Sequence, residues 1–402
     1  MPPFLLYPSR SQKIVNPFLG KKALRPFKSA LEDKRLDREE TLIRHVALRA
    51  GCAECLFEDI MHVFVTRLIP EAGLALLRKE AEVDVWPGPE DGTPSKEEIL
   101  HGTRKADVLL CLLTEEIDRA VMEANPKLLG IADHAVGYNN IDVKIATELG
   151  LPVTNTPGVL TDTTADLAWS LIMAVARNIV QGHQYVREGR FKIWGPRLLL
   201  GMDVSPGGSG KPKTLGIIGF GRIGQAVFKR SRGFDMRVLA YDPFQKETIE
   251  RTEGIVYREL LDLFRESDFL TLHTSLSDKT HHLIGEKEFS VMKPTAYLVN
   301  TSRGPIIDEK ALVQALREKR IAGAGLDVYE NEPDLAPGLM ECENVVLLPH
   351  LGSASRETRD KMATMAAANA LALLKKEKAP NTVNPEVYQT DAYRRRIGFK
   401  NR

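Results

Sequence analysis

Short apolar runs alternate with longer charged stretches along the first half of the chain. The charged stretches have the length and spacing of surface helices, as in Glu71–Glu80 and Glu115–Asn125. The apolar runs are centred on Val63, Val83, Val108, Leu129 and Val153. Strand patterns that alternate with helix patterns indicate parallel strands joined by helical crossovers. The first half therefore predicts a parallel α/β layer.

A second set of apolar runs begins at Leu215 and predicts a full doubly wound sheet. Its members are Leu215–Ile218, Val238–Tyr241, Leu270–His273, Tyr297–Asn300, Leu326–Val328 and Val345–Leu348. A helix is expected to link the two layers, beginning near the capping-box sequence Thr163–Asp166. It continues to about residue 180 and is apolar around most of its circumference, which predicts burial between two domains or two subunits.

The first run of the second set leads into a glycine-rich turn, Gly219–Gly224. Gly219 permits the tight turn, Gly221 the approach of a pyrophosphate to the backbone, and Gly224 the packing of the next helix. Asp242 ends the following strand 18 residues after Gly224, close to the about 20 expected for the acid that binds the adenosine ribose of NAD. The strand, turn, helix, strand and acid together predict dinucleotide binding rather than an ordinary strand-to-helix turn.

Three side chains suited to hydride chemistry each follow a different strand of the second set. Arg303 can bind a carboxylate with both arms of its guanidinium and polarise a neighbouring carbonyl. His350 can protonate the carbonyl oxygen, and Glu332 can hold the imidazole and raise its pKa. Each residue alone has a simpler structural explanation, but together they predict an active site for reduction of an oxo acid.

Composition is that of a folded protein of about two or three domains rather than a disordered, nucleic-acid-binding or membrane-spanning chain. Of the 402 residues 43% are hydrophobic, and the net charge of +1 gives no reason to expect nucleic acid or a membrane surface as a partner. Its most apolar helical stretch, 165–176, is too short to cross a bilayer. The pair Cys52 and Cys55 has no second pair to complete a tetrahedral site, so no metal is expected.

Both ends of the chain differ from the middle. Residues 1–31 contain six basic and no acidic side chains, which is typical of either a solvated tail or an organelle transit peptide. We expect residues 1–60 to be a poorly ordered extension and the protein to be cytoplasmic, with import as the alternative. Residues 388–402, which include Arg394–Arg396, are expected to form a solvated tail.

From Met61 to Val387 the sequence resembles the D-isomer-specific 2-hydroxyacid dehydrogenases, and most closely their glyoxylate and hydroxypyruvate reductase branch. The resemblance rests on several motifs beside the glycine turn. They are Ala135–Asp142, Thr154–Pro157, Asn300–Gly304, Gly325–Tyr329, Glu332–Pro333 and Pro349–Ser353.

The resemblance implies two Rossmann-like or flavodoxin-like α/β domains with parallel sheets and the active site in the cleft between them. The substrate-binding domain would comprise residues 61–158 and 349–387, and the NAD-binding domain residues 159–348. A homodimer through the NAD-binding domain is expected, with Trp194 reaching the partner's active site.

The resemblance also assigns site residues. Arg303 would bind the substrate carboxylate and C2 oxygen, His350 would be the acid of the reduction with Glu332 as its partner, and the Val136 and Gly137 amides would hold the carboxylate. Coenzyme-binding residues would be Gly219, Gly221, Arg222, Ile223, Gly224, Asp242, Thr274, Thr301, Asp327 and Gly352.

We expect NAD(H) in preference to NADP(H), because Asp242 would repel a 2′-phosphate. The expected reaction is NADH-dependent reduction of glyoxylate to glycolate, of hydroxypyruvate to D-glycerate, or of both. Glu332 argues against a formate dehydrogenase, which would have Gln. A 3-phosphoglycerate dehydrogenase is the enzymatic alternative, and an NAD(H)-binding corepressor is the alternative of another class.

Overall fold

We describe residues 61–398 from a computed structural model. The extension at 1–60, with its basic segment and the Cys52–Cys55 pair, lies outside the described residues, as do residues 399–402.

The first half of the described chain forms a five-stranded parallel sheet, as the alternating pattern predicts. Its strands are β1 His62–Val65, β2 Glu82–Val85, β3 Val108–Cys111, β4 Gly130–Asp133 and β5 Val153–Thr154. Their spatial order is β2-β1-β3-β4-β5, the flavodoxin-like arrangement.

The second half forms a seven-stranded parallel sheet in the order β12-β11-β10-β9-β6-β7-β8. Its strands are β6 Thr214–Ile218, β7 Arg237–Tyr241, β8 Ile255–Tyr257, β9 Phe269–Leu272, β10 Tyr297–Asn300, β11 Gly323–Leu326 and β12 Val345–Leu347. The order reverses beside β6, so a crevice opens at the carboxyl ends of β6 and β9. The predicted class, two parallel α/β sheets of Rossmann-like type, is confirmed.

Thirteen α-helices occur among residues 61–398. They are α1 Glu71–Leu77, α2 Lys96–Thr103, α3 Arg119–Glu123, α4 Val143–Glu148, α5 Thr161–Ala176, α6 Ile179–Arg187, α7 Arg222–Ser231, α8 Lys246–Arg251, α9 Leu260–Glu266, α10 Glu286–Val291, α11 Glu309–Arg317, α12 Arg356–Leu374 and α13 Asp391–Arg396. None of them is long and apolar enough to span a membrane.

Helix α12 returns from the second sheet to cover one face of the first. It does so with small side chains, and its Ala363 backbone approaches Gly73 of α1 so closely that a side chain at Gly73 would collide with it. The buried residues on this face include Val63, Val65 and Leu110. On the opposite face, Phe64, Leu109 and Ile131 pack against the α2–α4 side.

The predicted linking helix is wrong in its start and its continuity. Helix α5 begins at Thr161, two residues before the expected capping box, and Leu160 precedes it without a capping side chain. It ends at Ala176, because Asn178 takes a left-handed conformation with φ of 50° before α6 starts. Ala168, Leu171 and Ile172 of α5 are buried on the second sheet, and burial of this helix between two domains or two subunits stays a prediction.

Three other expectations about elements are corrected. The run Leu326–Val328 is not a strand, since β11 covers Gly323–Leu326 and the chain turns at Asp327. The second sheet has a seventh strand, β8, which the pattern did not reveal. The described part of the segment 388–402 is not a solvated tail, because Tyr393 is 7% exposed and Arg396 donates to the Leu149 and Leu128 carbonyls.

The division into a substrate-binding and an NAD-binding domain, with boundaries at 158/159 and 348/349, stays a prediction.

Candidate active site

A cleft of about 290 Å³ lies at the carboxyl ends of strands from both sheets. The first sheet contributes the loop after β4, and the second contributes the segments that follow β6, β9, β10, β11 and β12. Among the predicted site residues it gathers Val136, Gly137, Ile223, Thr274, Thr301, Arg303, Asp327, His350 and Gly352. A second cavity, of about 190 Å³, touches the other side of Arg303 and His350 and also includes Glu332.

The glycine turn has the geometry that its sequence predicts. Gly219 follows β6 with φ of 91°, a conformation that side chains disfavour, and it lies against the His273 carbonyl. Gly221 precedes the first turn of α7 with no side-chain cap. A side chain at Gly224 would overlap the Gly219 carbonyl oxygen, so only glycine lets α7 pack this closely. The amides of Arg222 and Ile223 therefore begin a helix directly beside the turn.

Asp242 lies at the end of β7, next to the glycine turn. Its two carboxylate oxygens accept separate backbone hydrogen bonds, at 2.9 Å from Phe220 N and at 2.9 Å from Phe244 N. These bonds fix the orientation of the carboxylate. Each oxygen keeps a further acceptor site, so the pair can still bind two vicinal hydroxyls.

The turn after β10 aims Arg303 into the cleft. The buried Asn300 side chain shapes it by donating to the Arg303 carbonyl at 2.9 Å and accepting from Ser302 N at 3.0 Å. The guanidinium donates to the Ser302 carbonyl at 2.7 Å. Burial lowers the pKa of Arg303, while the charges of Glu332 and Asp133 oppose that change. Arg303 therefore presents a poorly hydrated cation, the form that binds an anion most strongly.

His350 and Glu332 form the hydrogen-bonded pair that the sequence predicts. His350 Nδ1 lies 2.9 Å from Glu332 Oε2, and the other Glu332 oxygen accepts from Tyr329 N at 3.0 Å. The side chains are 26% and 29% exposed, so the pair is partly open to the cleft. Burial alone would raise the pKa of Glu332, but the hydrogen bond and charge of His350 lower it below its ordinary value. Glu332 is therefore an anion that orients the imidazole and leaves Nε2 free.

Three buried polar atoms that have no hydrogen-bond partner among the described residues lie on the second-sheet side of the cleft. They are His273 Nδ1, Thr301 Oγ1 and Asp327 Oδ2. The other Asp327 oxygen accepts from Leu351 N at 2.6 Å, and Gly352 lies against Oδ2. Burial raises the pKa of Asp327, although the Leu351 amide acts in the opposite direction. Groups of this kind are usually satisfied by a bound molecule.

The loop after β4 forms the first-sheet side. Gly137 lies against Arg303 so closely that a side chain there would overlap the guanidinium Nη2. Asn155 holds the loop by donating to the Val136 carbonyl at 2.7 Å, and Asn140 donates to the Leu112 carbonyl at 2.8 Å. The Val136–Gly137 backbone is thus fixed next to the cation.

Other cleft residues were not predicted from the sequence. Leu113, Tyr138, Asn139, Ser302 and Ser353 line the cleft together with Leu160, Thr164 and Met362. Four of them belong to the motifs that carry the family resemblance, namely Tyr138, Asn139, Ser302 and Ser353. Their position next to predicted site residues in the sequence could have indicated that they line the cleft. Met362 carries no such signal, because only the folding of α12 across the two sheets brings it there.

The described residues fit a dinucleotide better than a metal. Among residues 61–398, no group of three or more His, Cys, Asp or Glu side chains is placed to hold a metal ion. The fixed carboxylate of Asp242 and the glycine turn follow β7 and β6, whereas the unpartnered Thr301 and Asp327 atoms follow β10 and β11 on the other side of the point where the strand order reverses. An adenosine ribose, a diphosphate and a carboxamide ring would meet these groups in that order.

The sequence has close relatives of known classification. Residues 169–352 match the family described as D-isomer specific 2-hydroxyacid dehydrogenase, NAD binding domain. A glyoxylate reductase of Korarchaeum cryptofilum is 52% identical over 328 residues, which is 81% of this chain and 96% of the relative. A glyoxylate reductase of Pyrococcus horikoshii is 47% identical over 342 residues, covering 84% and 99%.

Solved structures agree with this relationship. The TT0316 protein of Thermus thermophilus is 41% identical with a TM-score of 0.73, covering 80% of this chain and 100% of its own. An NADPH-dependent glyoxylate/hydroxypyruvate reductase of Sinorhizobium meliloti, solved with NADP and malonate, is 30% identical with a TM-score of 0.70, covering 81% and 97%. The fold described above is therefore shared with proteins of this type.

Proposed function

Since this chain belongs to the D-isomer specific 2-hydroxyacid dehydrogenases, a family of NAD(P)-dependent oxidoreductases, we propose that it reduces a small 2-oxo acid with NADH. Glyoxylate, giving glycolate, and hydroxypyruvate, giving D-glycerate, are the proposed substrates. The observation that carries the proposal is the His350–Glu332 pair, 2.9 Å apart, opening on the same cleft as Arg303 and the glycine turn.

Arg303 would bind the oxo acid. Its guanidinium faces the cleft next to the Gly137 backbone, so it can contact the carboxylate and the C2 oxygen together. The amides of Val136 and Gly137 would hold the carboxylate from the opposite side. Placing the acid between two fixed groups orients C2 for reaction.

His350 would transfer the proton. With Nδ1 bound to Glu332, Nε2 is the ring atom available to the C2 oxygen. The Nε2 proton moves to that oxygen as C2 receives hydride, and the imidazole is left neutral beside the Glu332 carboxylate. In the reverse direction the same nitrogen takes the proton from the hydroxyl.

A bound nicotinamide coenzyme supplies the hydride. Gly219, Gly221, Gly224 and the amides of Arg222 and Ile223 would hold its diphosphate, and Asp242 its adenosine ribose. Thr274, Thr301, Asp327 and Gly352 would surround the nicotinamide end. We propose NADH over NADPH because the Asp242 carboxylate, fixed by two backbone amides, would repel a 2′-phosphate.

We also propose a homodimer formed through the NAD-binding domain, residues 159–348. The segment after α6 exposes large apolar side chains, among them Ile193 at 82% and Trp194 at 73%. An apolar surface of this kind is typical of a subunit interface. Sedimentation of the purified chain should give twice the chain mass, whereas a monomer would contradict the proposal.

We propose a cytoplasmic location, with import through residues 1–31 as the alternative. Imaging of the tagged chain in cells distinguishes the two.

The test is NADH and NADPH oxidation by the purified full chain with glyoxylate, hydroxypyruvate, 3-phosphohydroxypyruvate and pyruvate. We expect the first two acids to be reduced fastest, and NADH to give a higher kcat/KM than NADPH. Turnover of the phosphorylated acid alone would make the chain a 3-phosphoglycerate dehydrogenase. Tight NADH binding without turnover of any of the acids would favour the corepressor alternative.

A further inference from the structure

Three strands of the first sheet have a buried hydroxyl, thiol or carboxyl side chain at their carboxyl ends, and all three side chains lie on the same face. Thr66 follows β1, and Cys111 and Asp133 end β3 and β4. Because side chains alternate along a strand, these three share the face of Phe64, Leu109 and Ile131. The Glu115 side chain joins them, since Thr66 Oγ1 donates to its Oε2 at 2.7 Å. We call Thr66, Cys111, Glu115 and Asp133 the strand-end cluster.

The two carboxyl groups of the strand-end cluster are bonded very differently. Glu115 accepts three hydrogen bonds, from Thr66 Oγ1 at 2.7 Å, Leu112 N at 2.7 Å and Thr114 Oγ1 at 2.6 Å. Asp133 is 0% exposed, and neither of its oxygens has a hydrogen-bond partner among the described residues. Burial without hydrogen-bond donors disfavours the charged form of a carboxyl group, so Asp133 is expected to keep its proton.

The strand-end cluster lies directly behind the substrate side of the cleft. Asp133 is four residues before Gly137, whose backbone packs on the Arg303 guanidinium. The Glu115 hydrogen bond to Leu112 N also fixes the loop that carries Leu113 into the cleft. The charge of Arg303 is close enough to lower the pKa of Asp133, and an ionised Asp133 would raise the pKa of Arg303.

The charged and titratable groups around Asp133 come from three elements. They are Cys111 on β3, Glu115 on the loop after it and Arg303 on the loop after β10. Burial raises the pKa of Asp133 well above its ordinary value, Glu115 adds to the rise and Arg303 opposes it. Burial, followed by the charges of Asp133 and Glu115, likewise raises the pKa of Cys111. By strand alternation His134 belongs to the opposite face, where the Arg359 charge acts on it.

We propose that Asp133 is a positioning residue that acts through Arg303: held uncharged in the strand-end cluster, it leaves the guanidinium charge free for the carboxylate of the oxo acid. An ionised Asp133 would give Arg303 an internal counter-charge in addition to Glu332. The oxo acid would then compete with Asp133 for the same cation. The inference rests on the proposed role of Arg303 in substrate binding.

The direct test compares the full chain with Asp133→Asn and with Asp84→Asn. Asparagine has the shape of the neutral acid and cannot ionise. Asp84 is the matched control, because it is exposed on the edge strand β2 of the same sheet. Initial rates with saturating NADH and varied glyoxylate give KM and kcat from pH 6 to 10, and inhibition by oxamate measures binding of an unreactive analogue over the same range.

We expect the glyoxylate KM and the oxamate inhibition constant of the wild type and of Asp84→Asn to rise at alkaline pH, by up to about tenfold per pH unit once Asp133 ionises. Asp133→Asn should match the wild type at the acidic end and lack this rise. The pH dependence of kcat should be the same in all three proteins. A KM for Asp133→Asn that rises with pH as the wild-type KM does would overturn the inference.

Melting curves test the charge state of Asp133 without turnover. An unfolded Asp ionises near pH 4, whereas the folded chain keeps this proton to higher pH, so the wild type loses stability relative to Asp133→Asn as pH rises above about 4. The melting temperature of Asp133→Asn minus that of the wild type should therefore increase from pH 5 to pH 9, whatever constant offset the amide introduces. A difference that stays constant or decreases over this range would mean that Asp133 does not keep its proton and would overturn the inference. Failure of every oxo acid to react would instead count against the proposed function, and the melting comparison would still decide the charge of Asp133.

Discussion

The substitution Glu332→Gln isolates the pairing of His350, the proposed acid-base residue. The Glu332 carboxylate accepts from two donors with two different oxygens, Tyr329 N at 3.0 Å and His350 Nδ1 at 2.9 Å. A glutamine amide has one oxygen and one NH₂ group, so one of these two donors would face another donor. The side chain keeps its size, and what is lost is a charged acceptor.

The expected magnitude follows from the exposure of this pair. Both side chains are about a quarter exposed, which places the pair between a surface ion pair and a fully buried one. A hydrogen bond to a charged group contributes about 1.5–3 kcal/mol. Since 1.4 kcal/mol corresponds to a factor of ten in rate, Glu332→Gln should lower kcat/KM by about 10- to 100-fold at neutral pH.

The assay is initial-rate NADH oxidation with glyoxylate from pH 5.5 to 9, with NADH affinity measured separately by fluorescence. Glu330→Gln is the matched control, since Glu330 forms a similar pair with His282 at 2.8 Å and has no proposed role in catalysis. A folded Glu332→Gln with wild-type kcat/KM at every pH would refute the role of this pair.

Other substitutions test the remaining parts of the account. His350→Ala should lower kcat by about 10² or more and leave NADH affinity largely unchanged; loss of NADH binding would make His350 a structural residue. Arg303→Ala should mainly raise the KM of the oxo acid, and an unchanged KM would contradict its role in substrate binding. Asp242→Ala should reduce the preference for NADH over NADPH, and unaltered selectivity would mean that another residue selects the coenzyme. Tyr393→Ala should lower the free energy of unfolding by about 3 kcal/mol in a denaturant titration, because the ring is buried; no change would mean that α13 is not part of the stable fold.

Much of the fold follows from local patterns. The strands around Val63, Val108, Leu215 and Tyr297 are apolar runs buried on both faces, and such runs are the signal of a parallel sheet. The glycine turn adds a local steric requirement, since Gly219 needs its positive φ. These features depend on neighbouring residues in the sequence, so the sequence predicts them.

The errors occur where distant contacts decide the structure. Strand β11 contains Gly323 and Gly325, which are weak strand formers, yet Gly325 packs against Leu171 of α5 where a larger residue would be crowded. The apolar pattern therefore predicts strand β11 too late in the sequence, at the more apolar residues 326–328. The basic sequence of 394–396 resembles a solvated tail, but the Leu149 and Leu128 carbonyls provide acceptors for Arg396 that only the folded first sheet brings together.

The site shows the same division. Arg303, Glu332 and His350 were expected together because parallel strands end at one edge of a sheet. Asp133 was not expected, because its importance depends on three facts that no local pattern contains: its full burial, its lack of donors, and the position of Gly137 against Arg303.

The central claim is that this chain delivers hydride directly to C2 of a 2-oxo acid. The most direct measurement uses NADH carrying two deuterium atoms at C4 of the nicotinamide, incubated with glyoxylate and the purified full chain. The account predicts glycolate with one deuterium on C2 and a solvent proton on the hydroxyl oxygen. Glycolate without deuterium at C2 would contradict it.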